Sequence, residues 1–259
     1  MNARPLKLDH LVIAARTLDE GTAYVADTLG TEPAGGGAHP LMRTHNRLFG
    51  LWGGAYLEVI AIDPDAPAPP GAPRPRLFAL DEPAMQQRLA KGPALVHWVA
   101  RVEPPRHLDI WRRQYPQRIA PVARMSRGDW RWSLTVPADG TFPDASGQAA
   151  DGIAPSLIQW DTPRHPSDTL PHHDVALSSL SATHPEAEAI VAHLDWLGAG
   201  QLVAVSAAPE RALVASFDTP QGRAHAALKA RRPRHSLIPL TLPEPRSRCP
   251  IRAKPAACC

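Results

Sequence analysis

Cysteine is scarce in this chain of 259 residues. The three cysteines, Cys249, Cys258 and Cys259, all lie near the C-terminal end, so the rest of the chain offers no disulfide, thiolate ligand or cysteine nucleophile. No apolar run approaches the ~20 residues that cross a bilayer, and the N-terminus lacks the apolar core of a signal peptide. We therefore expect a cytoplasmic protein with no membrane partner.

Known phosphate-binding and hydrolase motifs are also missing. The glycines at 35–37 lack the lysine of a P-loop and the spacing of a dinucleotide loop, and there is no GxSxG or HExxH. The net charge of +3 comes from residues 231–259, which hold seven basic residues and one acidic residue, so residues 1–230 carry −3. A basic tail without a folded nucleic-acid-binding domain binds nucleic acid only weakly, and we expect no nucleic-acid partner.

Proline is abundant, with 30 residues, which argues against a helical bundle. Alternating strands and short helices instead predict an α+β fold in which one pattern, a strand, a helix and further strands, occurs twice. We place these modules at about residues 6–63 and 93–161, within a domain at 1–173. A smaller β-α-β-β segment at 174–230 extends that domain, and the basic, proline-rich residues 231–259 are predicted to be disordered.

The predicted elements have recognisable start and stop signals. Thr17 and Glu20 form a capping-box pattern that begins the first helix, and Gly30 ends it. Gly53-Gly54 predicts a tight hairpin between two strands. We expect a loop at 31–40 and further helices at 77–89, 104–114 and 185–198.

Four predicted strands each carry one polar residue among apolar neighbours. They are His10, Glu58, His97 and Gln159. By the two-residue period of a strand, each shares a face with apolar residues, so that face belongs to a core or a cavity. A carboxylate buried there costs several kcal/mol unless it is paired. An arginine or a cation held with two imidazoles could pair with it, and two histidines with one carboxylate form a known metal-binding set.

The chain resembles the vicinal oxygen chelate superfamily, in particular its glyoxalase-like domain branch, which shares a fold with glyoxalases, bleomycin resistance proteins and extradiol dioxygenases. The stretches that carry the resemblance are LDHLVIAARTLDEGTAYVADTLG, THNRLFGLWGGAYLEVIAIDP and PSLIQWDTPRHPS. The resemblance implies paired βαβββ modules whose sheets curl around a central cup. It also implies metal ligands on the first and last strands of the modules, at His10, Glu58, His97 and Gln159.

The resemblance further implies a bacterial, divalent-metal-dependent enzyme with Fe, Mn, Ni, Co or Zn. The metal would chelate adjacent oxygens of a small oxygenated metabolite and stabilise an enediolate, giving a lyase, isomerase or dioxygenase. Gln159 stands where the glyoxalase I pattern has a catalytic carboxylate, and glutamine cannot accept a proton, so Glu58 is the candidate base. The alternative is a metal-free binding or resistance protein, in which His10, Glu58 and His97 form a hydrogen-bonded network.

Four more residues are candidates for substrate binding. His45 and Asn46, beside the predicted hairpin, could bind a carbonyl or phosphate, and Arg127 could hold an anion. Trp98 could line an aromatic wall of the cup. The cup could form within one chain or across a homodimer.

Overall fold

The computed structural model describes residues 5–68, 71–171 and 173–229. The predicted tail at 231–259 lies outside the described residues. Within them no helix is long and apolar enough to span a membrane.

Two βαβββ modules form the larger part of the fold, as the sequence predicts. The first module comprises β1 (Lys7–Ala14), α1 (Leu18–Leu29), β2 (Gly36–His39), β3 (Thr44–Gly50) and β4 (Tyr56–Ile62). After α2 (Pro83–Leu89), the second comprises β5 (Ala94–Arg101), α3 (Leu108–Gln114), β6 (Val122–Arg127), β7 (Trp130–Thr135) and β8 (Ser156–Trp160). A 3₁₀ turn (Pro166–Asp168) follows β8.

The eight strands form one curled sheet in the order β2-β3-β4-β1-β5-β8-β7-β6. In each module the first strand pairs in parallel with the last, and the modules join through an antiparallel pairing of β1 with β5. The edge strands β2 and β6 approach each other, since the side chain of Arg127 lies against Gly37. The sheet therefore closes almost completely around an interior.

A second sheet covers the outer face of the first. It contains β9 (Ala176–His184), β10 (Ala204–Ala207), β11 (Ala212–Thr219) and β12 (Gly222–Lys229), and α4 (Ala187–Leu197) follows β9. Phe217 of this sheet and Trp98 of β5 are buried in one apolar core, which also includes residues of α1, α3 and α4. The smaller β-α-β-β segment thus packs on the modules through a shared core.

Glycine allows α1 to lie close to the curled sheet. A Cβ at Gly21 would stand 2.4 Å from Val59 Cγ1 on β4, so only glycine fits without a shift. The helix begins at Thr17, whose side chain accepts the Glu20 N–H, and ends at Gly30 in the left-handed conformation. The N-cap at Thr17 and the stop at Gly30 are confirmed, whereas the Glu20 carboxylate pairs with Arg16 and does not complete the capping box.

Three predicted boundaries differ from the structure. The predicted loop at 31–40 contains β2, and α3 begins at Leu108 rather than at the prolines before it. The predicted helix at 77–89 starts only at Pro83, because Leu77, Phe78 and Leu80 insert into the apolar interior of the cup. Burial of these side chains outweighs the local preference for helix.

Candidate functional site

A β-bulge in β1 brings two adjacent polar residues into the site. Leu8 pairs with Ala100 and His10 pairs with Val99, so Asp9 is the extra residue. A bulge interrupts the strict alternation of side chains and re-aims them, a device often found beside active sites. Asp9 and His10 are both buried, and Asp9 Oδ1 lies 2.7 Å from His10 Nδ1.

The carboxylate of Glu58 faces the other nitrogen of the same imidazole. β1 and β4 run in parallel, and His10 Nε2 lies 3.6 Å from Glu58 Oε2. The second oxygen of Glu58, Oε1, accepts a hydrogen bond from Asn46 Nδ2 at 2.7 Å. Glu58 thus lies beside one histidine, His10, at a distance longer than a hydrogen bond, and its hydrogen bond comes from the Asn46 amide.

Asn46 is the centre of a hydrogen-bond network that spans the closing edge of the sheet. Its Nδ2 also donates to His39 Nε2 at 3.3 Å, and its Oδ1 accepts from Arg127 at 2.8 Å and from the Gly37 N–H at 3.0 Å. Because His39 Nε2 accepts, His39 Nδ1 carries the proton and donates to Thr44 Oγ1. Burial lowers the pKa of His39 to about 4, and the nearby Arg127 lowers it as well.

Aromatic rings enclose the polar groups. Tyr56 stacks on the His10 ring with a centroid separation of 4.7 Å. Burial raises the pKa of Tyr56 well above its usual value, and the negative charges of Asp9 and Glu58 add to the rise, so Tyr56 stays neutral. Trp132, Trp160 and Phe78 complete the walls.

These residues surround a chamber of about 30 Å³. A larger groove of about 810 Å³ lies outside it and shares Leu48, Arg127 and Pro166 with the chamber wall. The groove is also lined by Arg164, Asp129 and Trp130. A molecule larger than a few atoms would therefore place one end in the chamber and its body in the groove.

His97 lies in the interior but has no free nitrogen. A second bulge, at Val96, points both Val96 and His97 inward. Nδ1–H donates to the Gly152 carbonyl at 2.9 Å, and Nε2 accepts the Ser156 N–H at 3.0 Å. Burial lowers the pKa of His97 to about 3, so the ring is neutral.

The four-residue metal set expected from the resemblance does not fit this geometry. Both nitrogens of His97 are engaged with Gly152 and Ser156, and the amide oxygen of Gln159 accepts the Leu108 N–H at 2.8 Å, outside the cup. Among the described residues, no group of three or more His, Cys, Asp and Glu is arranged to hold a metal ion. The donor set left around Glu58 is a hydrogen-bonded network rather than an open coordination shell.

Besides His97, which does not line the chamber, three predicted site residues lie outside it. Gln159 and Leu157 face outward on β8, because Ile158 is the residue that points into the interior. Trp98 is fully buried in the core under the second sheet, where its N–H donates to the Ile153 carbonyl. His45 faces away from Asn46, with Nδ1 at 3.8 Å from Asp63. These placements correct the expected roles of Gln159, Trp98 and His45.

The structure brings together His10, Glu58, Asn46 and Arg127, and it adds three residues that strand alternation did not select. Asp9 was missed because alternation places it opposite His10, and His39 because its strand was taken as loop. His165, in the turn after β8, contacts Asp9 with Nε2 at 3.0 Å. The sequence did contain a signal for Asp9: a charged residue next to His10 in an otherwise apolar strand indicates that both side chains have buried polar partners.

Two βαβββ modules curled around a polar chamber define the vicinal oxygen chelate class of proteins. The sequence model of the glyoxalase-like domain family matches residues 8–198, and the chain belongs to this family. A comparison with curated proteins found no match.

Solved structures with a similar fold include methylmalonyl-CoA epimerase from Mycobacterium tuberculosis. It is 18% identical, with 62% of this chain and 91% of that chain covered and a TM-score of 0.38. A hypothetical protein from Staphylococcus aureus is 13% identical, with 87% and 86% covered and a TM-score of 0.49. At these values the likeness carries no inference about function.

Proposed function

We propose that the cup binds a small oxygenated metabolite and that Glu58 and His10 transfer a proton to or from a carbon beside its carbonyl group. The observation that carries the proposal is the pair of atoms His10 Nε2 and Glu58 Oε2, which face each other at 3.6 Å in a buried chamber. A paired carboxylate and imidazole are the groups that proteins most often use as general base and acid.

The hydrogen bonds leave one proton for this pair. Asp9 is ionised and can only accept, so His10 Nδ1 carries a proton that it donates to Asp9. If Glu58 were ionised and His10 neutral, two bare acceptors would face each other. One further proton, carried by either Nε2 or Oε2, removes this repulsion, and it is the proton that a substrate could receive or displace.

Arg127 supplies the positive charge of the site. Its guanidinium donates to Asn46 and lines both the chamber and the outer groove. In this position it can bind a substrate carboxylate or stabilise the negative oxygen that forms when a carbon beside a carbonyl loses a proton. The size of the groove fits a substrate whose body remains outside the chamber.

The proposal is tested by deuterium incorporation. The protein is incubated in D₂O with 2-oxo and 2-hydroxy acids such as pyruvate and lactate. NMR follows loss of the methyl protons of pyruvate and of the proton on the hydroxyl-bearing carbon of lactate, which in each case lie on the carbon beside a carbonyl group. We expect incorporation with the wild-type protein and a rate lower by roughly 10²–10⁴-fold in Glu58→Gln. His45→Gln is the matched control, because His45 faces Asp63 outside the chamber.

A metal-free binding protein is the second candidate. Asn46 saturates Glu58 Oε1 and His39 Nε2 at once, as expected for a static polar network. This function predicts that ligands raise the melting temperature while no deuterium is incorporated. Incorporation by the wild-type protein that Glu58→Gln removes would exclude it.

Metal dependence is tested by a separate measurement. The present hydrogen bonds of the expected metal ligands support the metal-free form of the proposal. His97 and Gln159 would both have to leave their partners to bind an ion. Elemental analysis by mass spectrometry gives the metal content. About one equivalent of Fe, Mn, Ni, Co or Zn per chain, with activity lost on chelation and restored by that ion, would overturn the metal-free form. A cytoplasmic location, a homodimer and a single domain over 1–230 stay predictions.

A further inference from the structure

The carboxylate of Asp9 lies between two histidines and a tryptophan, with no exposed surface. Oδ1 faces His10 Nδ1 at 2.7 Å. Oδ2 accepts from His165 Nε2–H and from Trp160 Nε1–H, both at 3.0 Å. The two oxygens therefore have different partners: His165 and Trp160 donate to Oδ2, with Arg101 Nε 3.9 Å from the same oxygen, and Oδ1 is left for His10.

The protonation of His165 follows from its other contacts. Its Nδ1 accepts from the Ser167 hydroxyl at 2.7 Å and from the Ser167 N–H at 3.3 Å. Nδ1 is therefore the bare nitrogen and Nε2 carries the proton that goes to Asp9. The 3₁₀ turn after β8 holds this ring in place, because the His165 N–H also donates to Asp168.

Asp9 remains ionised in this environment. Burial alone would raise its pKa, but the hydrogen bonds that the carboxylate accepts from His10 and His165 outweigh burial and hold the pKa well below the usual range. An ionised carboxylate accepts only, so both rings must present N–H groups to it. The two histidines are consequently protonated on opposite nitrogens, Nδ1 in His10 and Nε2 in His165.

We propose that Asp9 is a positioning residue that keeps the proton of His10 on Nδ1, and that His165 and Trp160 act as its anchors by occupying Oδ2. This leaves His10 Nε2 directed at Glu58 Oε2. The inference rests on the proposed function for its purpose, because a fixed Nδ1–H is what makes Nε2 available for proton transfer. Which ring nitrogens of His10 and His165 carry protons can be measured without any substrate.

The first test is the pattern of ring protonation in the wild-type protein. Long-range ¹H–¹⁵N NMR on protein labelled in histidine separates proton-bearing from bare ring nitrogens, and His10→Gln and His165→Gln assign the signals. We expect a proton on His10 Nδ1 and, in the opposite pattern, a proton on His165 Nε2 with a bare Nδ1. A bare Nδ1 in His10, or a proton-bearing Nδ1 in neutral His165, would overturn the proposal.

The second test is Asp9→Asn. His165 and Trp160 both need an acceptor at the Oδ2 position, so the asparagine oxygen takes that place and its NH₂ group faces His10. Two donors cannot face each other, and His10 must move its proton from Nδ1 to Nε2. A folded Asp9→Asn protein in which His10 keeps its proton on Nδ1 would contradict the role of Asp9.

Variants at His165 test whether its hydrogen bond to the Oδ2 position of residue 9, and not only its packing, sets the protonation of His10. The amide of glutamine reaches the position of Nε2 and can donate to the oxygen at Oδ2, whereas the shorter asparagine cannot. In the Asp9→Asn background, His165→Gln should preserve the shift of the His10 proton to Nε2. His165→Asn should give a mixture of both forms of His10, and an unmixed spectrum there would contradict the role of His165 as an anchor.

The NMR result on the histidine protons and the deuterium-exchange result can fail separately. If wild-type His10 and His165 show the opposite protonation pattern but no acid exchanges deuterium, Asp9 is a positioning residue and the proposed proton transfer is wrong. If deuterium exchanges but His10 carries no proton on Nδ1, the proton transfer stands and the role of Asp9 is wrong. If both hold, Asp9→Asn should slow exchange by roughly 10²-fold or more with little change in ligand affinity.

Discussion

The guanidinium of Arg127, the last residue of β6, donates a hydrogen bond of 2.8 Å to the amide oxygen of Asn46 on β3. The two residues belong to different modules, and their bond crosses the gap between the edge strands β2 and β6. The same Asn46 holds Glu58, so closure of the sheet and the arrangement of the site depend on one side chain. Three predictions about stability test this geometry and the placement of individual residues.

Arg127→Met should loosen the closing edge of the sheet. Loss of a part-buried charged hydrogen bond costs about 1.5–3 kcal/mol in the free energy of unfolding, measured by urea denaturation. Arg124→Met is the matched control on the same strand, because Arg124 is exposed and pairs with Asp109 at the surface. We expect a change within about 0.5 kcal/mol for the control. Equal losses in the two variants would contradict a specific role for Arg127.

Acid should destabilise the protein through its buried neutral histidines. Burial lowers the pKa of His97 to about 3 and of His39 and His193 to about 4, below the usual 6.5. The unfolded chain therefore binds protons that the folded chain does not, and the free energy of unfolding falls as pH drops below 6.5.

Three such groups give a limiting slope of about 4 kcal/mol per pH unit between roughly pH 6 and 4. Urea denaturation at several pH values in this range measures the slope. His97→Gln removes one titrating group and should reduce the slope by about a third. An unchanged slope in that variant would show that His97 is protonated in the folded protein.

Gln159 should matter for α3 and not for ligand binding. Its side chain accepts the Leu108 N–H at the start of α3, a capping interaction whose loss costs about 1 kcal/mol. Gln159→Ala should lower the free energy of unfolding by this amount without changing deuterium incorporation or metal content. Gln148→Ala is the control, because the Gln148 side chain is exposed. Loss of a bound metal in Gln159→Ala would instead place Gln159 in the cup.

The sequence by itself determined the modules and several of their boundaries. Apolar alternation and the signals at Thr17 and Gly30 predict β1 and α1 because these depend on neighbouring residues alone. Burial arguments also selected His10 and Glu58, which lie on adjacent strands with their side chains facing each other. A polar residue inside an apolar strand needs a partner wherever the strand is buried, so this inference required no coordinates.

Only the tertiary structure decided which side chains face the chamber and what they do there. The bulges at Asp9 and Val96 break the two-residue period, and they depend on the pairing of β1 with β5 rather than on either sequence alone. Gln159 lies on the outward face of β8, where it accepts the Leu108 N–H of α3, and the nitrogens of His97 are taken by Gly152 and Ser156, more than fifty positions away. Partners distant in sequence compete for each buried polar atom, and the folded packing determines which of them binds it.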